Sequence, residues 1–250
     1  MLESPLPAEP HQLNVETGLR IQQQGGILAD NDSTGASALN AQTLTHLMRD
    51  LATAPYRIER ATTVPFDKKR HENDAEHSFS LGVMALCVAP LVDRELDLTR
   101  ISTYALVHDL AEIYAGDTPV YSDPATRAAK PKRERIARAK LHEKFGSHFP
   151  WLLNYLDDYV DMRDEESKFV YALDKVLPHV SVIIADHHPA RPSWRAYKAS
   201  EKIAREKIST QYPKLSQVFE ELCQMYGKLP HLFSTPPGRD DGNPLSTAYS

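Results

Sequence analysis

At 250 residues, 41% hydrophobic and 25% charged, the chain has the length and composition of a globular protein that can bury a core. A net charge of −5 gives no whole-protein attraction to a nucleic acid polymer or an anionic membrane. Cys87 and Cys223 lie in apolar helical patterns, which fits reduced, packed thiols better than a disulfide frame, and no CxxC pair is available for a structural zinc. No apolar run reaches the roughly 18 residues of a membrane span, and no basic start precedes an apolar core, so a cytoplasmic soluble protein is expected.

Residues 1–37 are rich in Pro, Gln, Gly, Ser and Asn and are expected to be disordered, because they carry too little apolar surface to offset ordering. The tail 234–250 reads the same way. Between them, residues 38–233 read as one all-α domain with no repeat and no convincing alternating strand. The first helix is expected over Ala38 to Ala54, with Leu39, Leu44, Leu47 and Leu51 near one face. The second follows Asn73, a capping residue, and Glu76 at the third helical position can reach back to the cap. Its inward stripe is predicted as His77, Leu81, Met84 and Val88. A third runs from Thr99 to Gly116, a suitable C′ residue, with Pro119 beyond. Pro131 opens the next, "PKRERIARAKLHEKFG". "WLLNYLDDYVDM" and "DEESKFVYALDKVLPHV" follow, the latter interrupted at Pro178. Two amphipathic helices, around 199–209 and 213–226, complete the set.

Three places put an ionisable group into an apolar surround: His77, the stretch "ALVHDLAEIYAGDTP" with His108, Asp109 and Glu112, and Asp174 in "FVYALDKVL". A lone buried carboxylate costs several kcal/mol unless it is paired or binds a cation. Two carboxylates and two histidines converging from three helices would satisfy one another around a divalent metal, and mixed nitrogen and oxygen ligands suit a catalytic Mn, Co, Fe, Zn or Mg ion. Each residue also has a plainer role. His77 alone reads as a hydrogen-bonded core histidine, and Asp174 as half of an ion pair with Lys175 or an arginine. The combination, in this order, is what carries weight.

That order, H…HD…D on a helical core, resembles the HD-domain phosphohydrolase superfamily. "RHENDAEHS", "HDLAEIYAGDTP" and "ESKFVYALDK" are similar to the segments of its compact 5′-deoxynucleotidase branch, approximately R-x-E-N-x-x-E-H-S, H-D-x-x-E-x-x-x-G-D and E-x-x-F-V-x-x-x-D-K, over about residues 40–185. The resemblance implies an HD-domain-like bundle of about six to eight helices. It also implies one divalent metal ion held by His77, His108, Asp109 and Asp174, with Glu112 as the catalytic acidic residue. Asp117 would meet the sugar 3′-hydroxyl; its plainer role is a turn residue in "GDTP". The branch carries an Arg-Trp pair ahead of the first histidine, where an ungapped alignment here puts Thr62 and Thr63. Arg57 or Arg60 could supply the guanidinium, and Arg60 is preferred.

The implied reaction is release of phosphate from a (deoxy)nucleoside 5′-monophosphate, a small-molecule substrate, with Lys130 or Lys132 from "KPKRERIARAK" available to balance phosphoryl charge. Most of that stretch reads as a solvated face with pairs such as Glu134 to Arg138. By family analogy the apolar faces of the late helices suggest a homodimer. The rivals are an HD hydrolase of a triphosphate, cyclic nucleotide or alarmone, a two-metal protein using His142 and His148, and a non-catalytic nucleotide-binding module. His187 and His188, beside Pro189, read as a loop and are left out of the metal shell.

Overall fold

The computed structural model describes residues 40–235. The expected disordered segments therefore fall outside the described residues, except that Ser234 and Thr235 are seen. The Ser234 N–H donates to the Pro192 carbonyl (3.1 Å) and the Trp194 N–H donates to the Thr235 carbonyl (3.0 Å). Among the described residues the fold is all-α: α1 (Ala41–Leu47), α2 (Asp74–Val92), α3 (Leu98–Val107), α4 (Glu112–Ala115), α5 (Pro124–Phe145), α6 (Pro150–Val160), α7 (Glu165–Ala185), α8 (Trp194–Gln211) and α9 (Ser216–Gly227). Apart from the single turn α4, that is eight helices. Two short strands, β1 (Glu59–Thr63) and β2 (His71–Asn73), pair antiparallel and were not expected. "ERATT" and "HEN" are polar and too short to alternate visibly, and an isolated hairpin of this size is marginal. It is held by docking against α7 and by running straight into α2.

The helix starts follow local chemistry. Asn73 and Glu76 form the expected capping box at α2: the Glu76 N–H donates to Asn73 Oδ1 (3.0 Å) and the Asn73 N–H to Glu76 Oε2 (3.1 Å). The buried side of α2 is Asp74, His77, Ser78, Leu81, Ala85 and Ala89, with Met84 and Val88 at its margin rather than its centre. It packs with α3 and α7 in the main core, around Tyr104, Phe169 and Leu173. With a mean hydropathy of 1.5 over its best window, α2 is also long and apolar enough to cross a membrane by length and composition. The thiols differ from expectation in one respect: Cys223 is buried but Cys87, on the outer side of α2, is exposed.

Several boundaries depart from the sequence reading. α1 begins at Ala41, capped by Asn40, and its continuation over Met48–Ala52 is a π-helical turn; Leu44 points out, 46% exposed. α5 starts at Pro124 with Asp123 as its cap, so Pro131 lies inside the helix instead of opening it. α7 continues through Pro178 to Ala185. A proline removes one helical hydrogen bond and crowds the preceding turn. In α7 that cost is met by burial on both sides, with Val176, Leu177, Val182 and Ala185 all in the core. The expected pair Glu134–Arg138 gives way to Glu134 with Lys130 (3.3 Å) and Arg138 with Asp157 (3.2 Å).

Candidate functional site

The third predicted helix, Thr99 to Gly116, is broken where its functional residues sit. α3 stops at Val107, and residues up to α4 turn by tighter i→i+3 bonds: the Leu110 N–H to the Val107 carbonyl (3.1 Å) and the Glu112 N–H to the Asp109 carbonyl (2.8 Å). The His108 Nδ1–H donates to the Ala105 carbonyl (3.0 Å). That imidazole thus takes the acceptor a continuing α-helix would offer to the Asp109 N–H. In a 3₁₀ turn, side chains three apart eclipse, so Asp109 and Glu112 stand over one another. Gly116, at φ 70°, closes α4 in a backbone conformation that favours glycine.

This turn faces the start of α2 and the middle of α7. His77 Nε2 lies 2.9 Å from Asp174 Oδ1, His108 Nε2 lies 2.9 Å from Asp109 Oδ2 and 3.9 Å from Asp174 Oδ1. His77, His108 and Asp109 offer ligand atoms all within 4.8 Å of one another, and so, as a second group, do Asp74, Asp109 and Glu112. Asp174 joins through its contacts to both histidines. Its other oxygen accepts from Lys175 Nζ at 2.5 Å, so the plainer ion-pair role holds beside the cluster role. Arg60 enters from β1 and places Nη1 at 2.7 Å from Asp109 Oδ2 and 3.9 Å from Glu112 Oε2. Lys130 of α5 reaches Glu112 Oε1 at 3.3 Å. Asp117, on the loop after α4, is half-buried and close enough for its charge to act on Arg60, Asp74 and Glu112.

The other candidates make none of these contacts themselves. Arg57 is exposed. Thr62 and Thr63 stay on β1, where Thr62 Oγ1 donates to Glu72 Oε2 (3.0 Å). His142 pairs with Asp157 (2.9 Å), and His148 contacts the Phe149 ring. His188 is buried in the loop after α7 with its ring 5.6 Å from that of Tyr121.

Two residues that the sequence left without a role are in the site. Glu72, on β2, presents Oε2 3.5 Å from His77 Nδ1, so both nitrogens of His77 face carboxylates. Asp74, the first residue of α2, is 1% exposed and holds Arg60 Nη1 at 3.0 Å. An acidic residue at a helix start is an ordinary partner of the helix dipole, so no sequence signal separated Asp74 from a capping residue. Glu72 fills the fixed glutamate of R-x-E-N, a position to which the pattern gave no role.

The electrostatics follow from burial and these pairings. Burial and Arg60 push the His77 imidazole down, but hydrogen bonds to Asp174 and Glu72 outweigh both and carry it up to about 9. Burial acts to raise Asp109, yet His108 and Arg60 hold it well below the usual carboxylate range; Lys175 and His77 do the same for Asp174. Glu112 goes the other way: burial, then the Asp109 charge, push its carboxyl up to about 9. Burial and the same Asp109 charge raise Asp74 to about 6.

The residues fit a divalent ion. With Nδ1–H committed to a carbonyl, which can only accept, His108 Nε2 is buried without a hydrogen-bond partner and turned toward Asp109 and Asp174. A buried ring nitrogen set against two carboxylates without a hydrogen bond is the arrangement a shared cation resolves. Glu112 Oε2 and Asp74 Oδ2 are likewise buried without a hydrogen bond.

Comparison with known proteins places this geometry. Residues 57–218 match the model of the HD domain family. The chain belongs to the HD domain family. It is similar to the bovine 5′-deoxynucleotidase HDDC2, 31% identical over 120 residues, which is 48% of this chain and 57% of that protein. It is also similar to a 5′-deoxynucleotidase of Yersinia pestis, 27% identical over 121 residues, 46% of this chain and 61% of that one. The chain thus spans about three fifths of the length of the curated relatives it matches. A crystal structure of a predicted metal-dependent phosphohydrolase from Magnetospirillum magnetotacticum superposes with a TM-score of 0.62 at 25% identity, covering 78% of this chain and 95% of that one. An HD domain's metal dependence agrees with the buried histidine–carboxylate group described above.

Proposed function

We propose that the chain is a metal-dependent phosphohydrolase that releases phosphate from (deoxy)nucleoside 5′-monophosphates. The observation that carries this reading is the convergence of His77, His108, Asp109 and Asp174 in one buried cluster, with Glu112 beside Asp109. The named activity of the two relatives supports it. His77, His108, Asp109 and Asp174 would hold the divalent ion, which supplies Lewis acidity toward a phosphate oxygen and water.

The chain's own residues perform the remaining work. Glu112 lies close enough to Asp109 to exchange a proton with water or with the leaving 5′-oxygen next to the bound phosphate. Arg60 and Lys130, on either side of Glu112, present cationic donors to the phosphoryl oxygens. Asp117 accepts from the sugar 3′-hydroxyl. A cytoplasmic location and a homodimer belong to the same reading. The exposed apolar side of α2, with Phe79, Val83, Leu86 and Leu91, supports the latter.

The test is metal-dependent phosphate release from a panel of nucleoside mono-, tri- and cyclic phosphates and an alarmone. Wild type should release free phosphate from monophosphates, and Asp109→Ala and Glu112→Ala should both lose that activity. Variants that match wild type would refute the site. Pyrophosphate release from triphosphates would shift the substrate to the rival class, and no turnover of any substrate would favour a binding module.

A further inference from the structure

We propose that Asp74 is a positioning residue: it holds the Arg60 guanidinium at the edge of the metal-binding cluster, so that Arg60 meets the substrate's phosphate. The inference rests on the phosphohydrolase reading above and concerns a position that the R-x-E-N-x-x-E-H-S pattern leaves open.

The backbone brings the two residues together. Glu59 of β1 pairs with Asn73 of β2, and the Asp74 N–H donates to the Ile58 carbonyl (3.1 Å), so residue 60 lies beside the first turn of α2. Arg60 Nη1 then has two anchors, Asp74 Oδ1 at 3.0 Å and Asp109 Oδ2 at 2.7 Å. The anchors are not equivalent. Asp109 Oδ2 is also 2.9 Å from His108 Nε2, and Asp109 belongs both to the group with His77 and His108 and to the group with Asp74 and Glu112; Asp74 belongs only to the second, which holds no histidine. Asp109, shared with a bound ion, would hold the guanidinium less strongly, and Asp74 would then be its firmer anchor. Asp74 is fully buried, and its second oxygen has no hydrogen-bond partner. An unshielded carboxylate there would repel a phosphate, so the residue is useful to an anion site only through the arginine it orients.

That opposition of sign makes the inference testable with inorganic phosphate as probe and metal-loaded full-length protein, by titration calorimetry. If Asp74 acts through Arg60, Asp74→Asn weakens orthophosphate binding by about tenfold, the worth of one charged hydrogen bond. In an Arg60→Met background the same change produces no further weakening. If Asp74 acts only through its own charge, Asp74→Asn tightens orthophosphate binding in both backgrounds. That result, or a full loss that persists in the Arg60→Met background, overturns the proposal. Asp74→Glu provides a second measurement if Asp74→Asn does not fold. It keeps the charge but displaces the carboxylate, so it weakens binding about threefold with Arg60 present and not without it. A stoichiometry of one ion in every variant shows that the metal-binding cluster is intact. Wild type that takes up metal but no orthophosphate refutes the phosphohydrolase reading itself, a different failure from a tightened Asp74→Asn.

Discussion

Replacing Asp174 by Asn separates a metal ligand from a structural ion pair. Asp174 is buried in α7, with one oxygen 2.9 Å from His77 Nε2 and the other 2.5 Å from Lys175 Nζ. The amide keeps the shape and removes the charge. Two charge-assisted hydrogen bonds are weakened, at roughly 1.5–3 kcal/mol in total after the retained amide contacts are counted. For a domain of this size that lowers the melting temperature of chelator-treated protein by roughly 3–12 °C, at about 2–4 °C per kcal/mol. The diagnostic quantity is the gain on adding metal. An ion at a hundred times its dissociation constant stabilises the native state by about 2.7 kcal/mol, which corresponds to roughly 5–11 °C for wild type. Asp174→Asn should lose most of that gain. Differential scanning calorimetry with and without Mn²⁺ measures both numbers. A variant that gains as many degrees as wild type would show that Asp174 is a structural partner of Lys175 and no ligand.

Two further outcomes follow from packing and burial. Burial, with a smaller contribution from His187, lowers the His188 imidazole from 6.5 to about 4, so between those values the unfolded chain binds the proton that the fold refuses. Its contribution is complete above pH 6.5 and is lost as pH falls toward 4, on the order of 2 kcal/mol at pH 5. Urea unfolding of wild type and His188→Gln at pH 7 and pH 5 should give stability losses that differ by that amount, and parallel losses would contradict the burial argument. Asn73→Ala removes the cap that starts α2 and should cost about 1 kcal/mol. Because Asp74 and His77 stand in that first turn, metal affinity should fall as well, which calorimetric titration reads directly.

Much of the fold was legible because helical periodicity and caps act locally. Asn73 and Glu76 cap α2 whatever the helix packs against, and Gly116 ends α4 because its backbone needs positive φ. The order H…HD…D was likewise readable, since His77 and Asp174 ride on helices whose caps and apolar faces are local features of the sequence. The hairpin was not readable, because neither strand is stable alone and its residues are polar. Pro131 and Pro178 misled for a related reason: the local penalty of a proline is visible in sequence, while the packing that offsets it comes from other helices.

Within the site the division runs along the same line. The sequence by itself picked out His77, His108, Asp109, Glu112 and Asp174 as ionisable groups set in apolar surrounds. Only the tertiary structure decided that the helix breaks at His108, where an imidazole takes the Ala105 carbonyl and the tighter turn stacks Glu112 over Asp109. Only it turned Arg60 inward and brought Glu72 and Asp74 into the cluster, because their partners lie on another strand or across the cluster. A carboxylate at a helix start satisfies local rules equally well facing solvent or facing a buried guanidinium, and that choice is made by what packs against it.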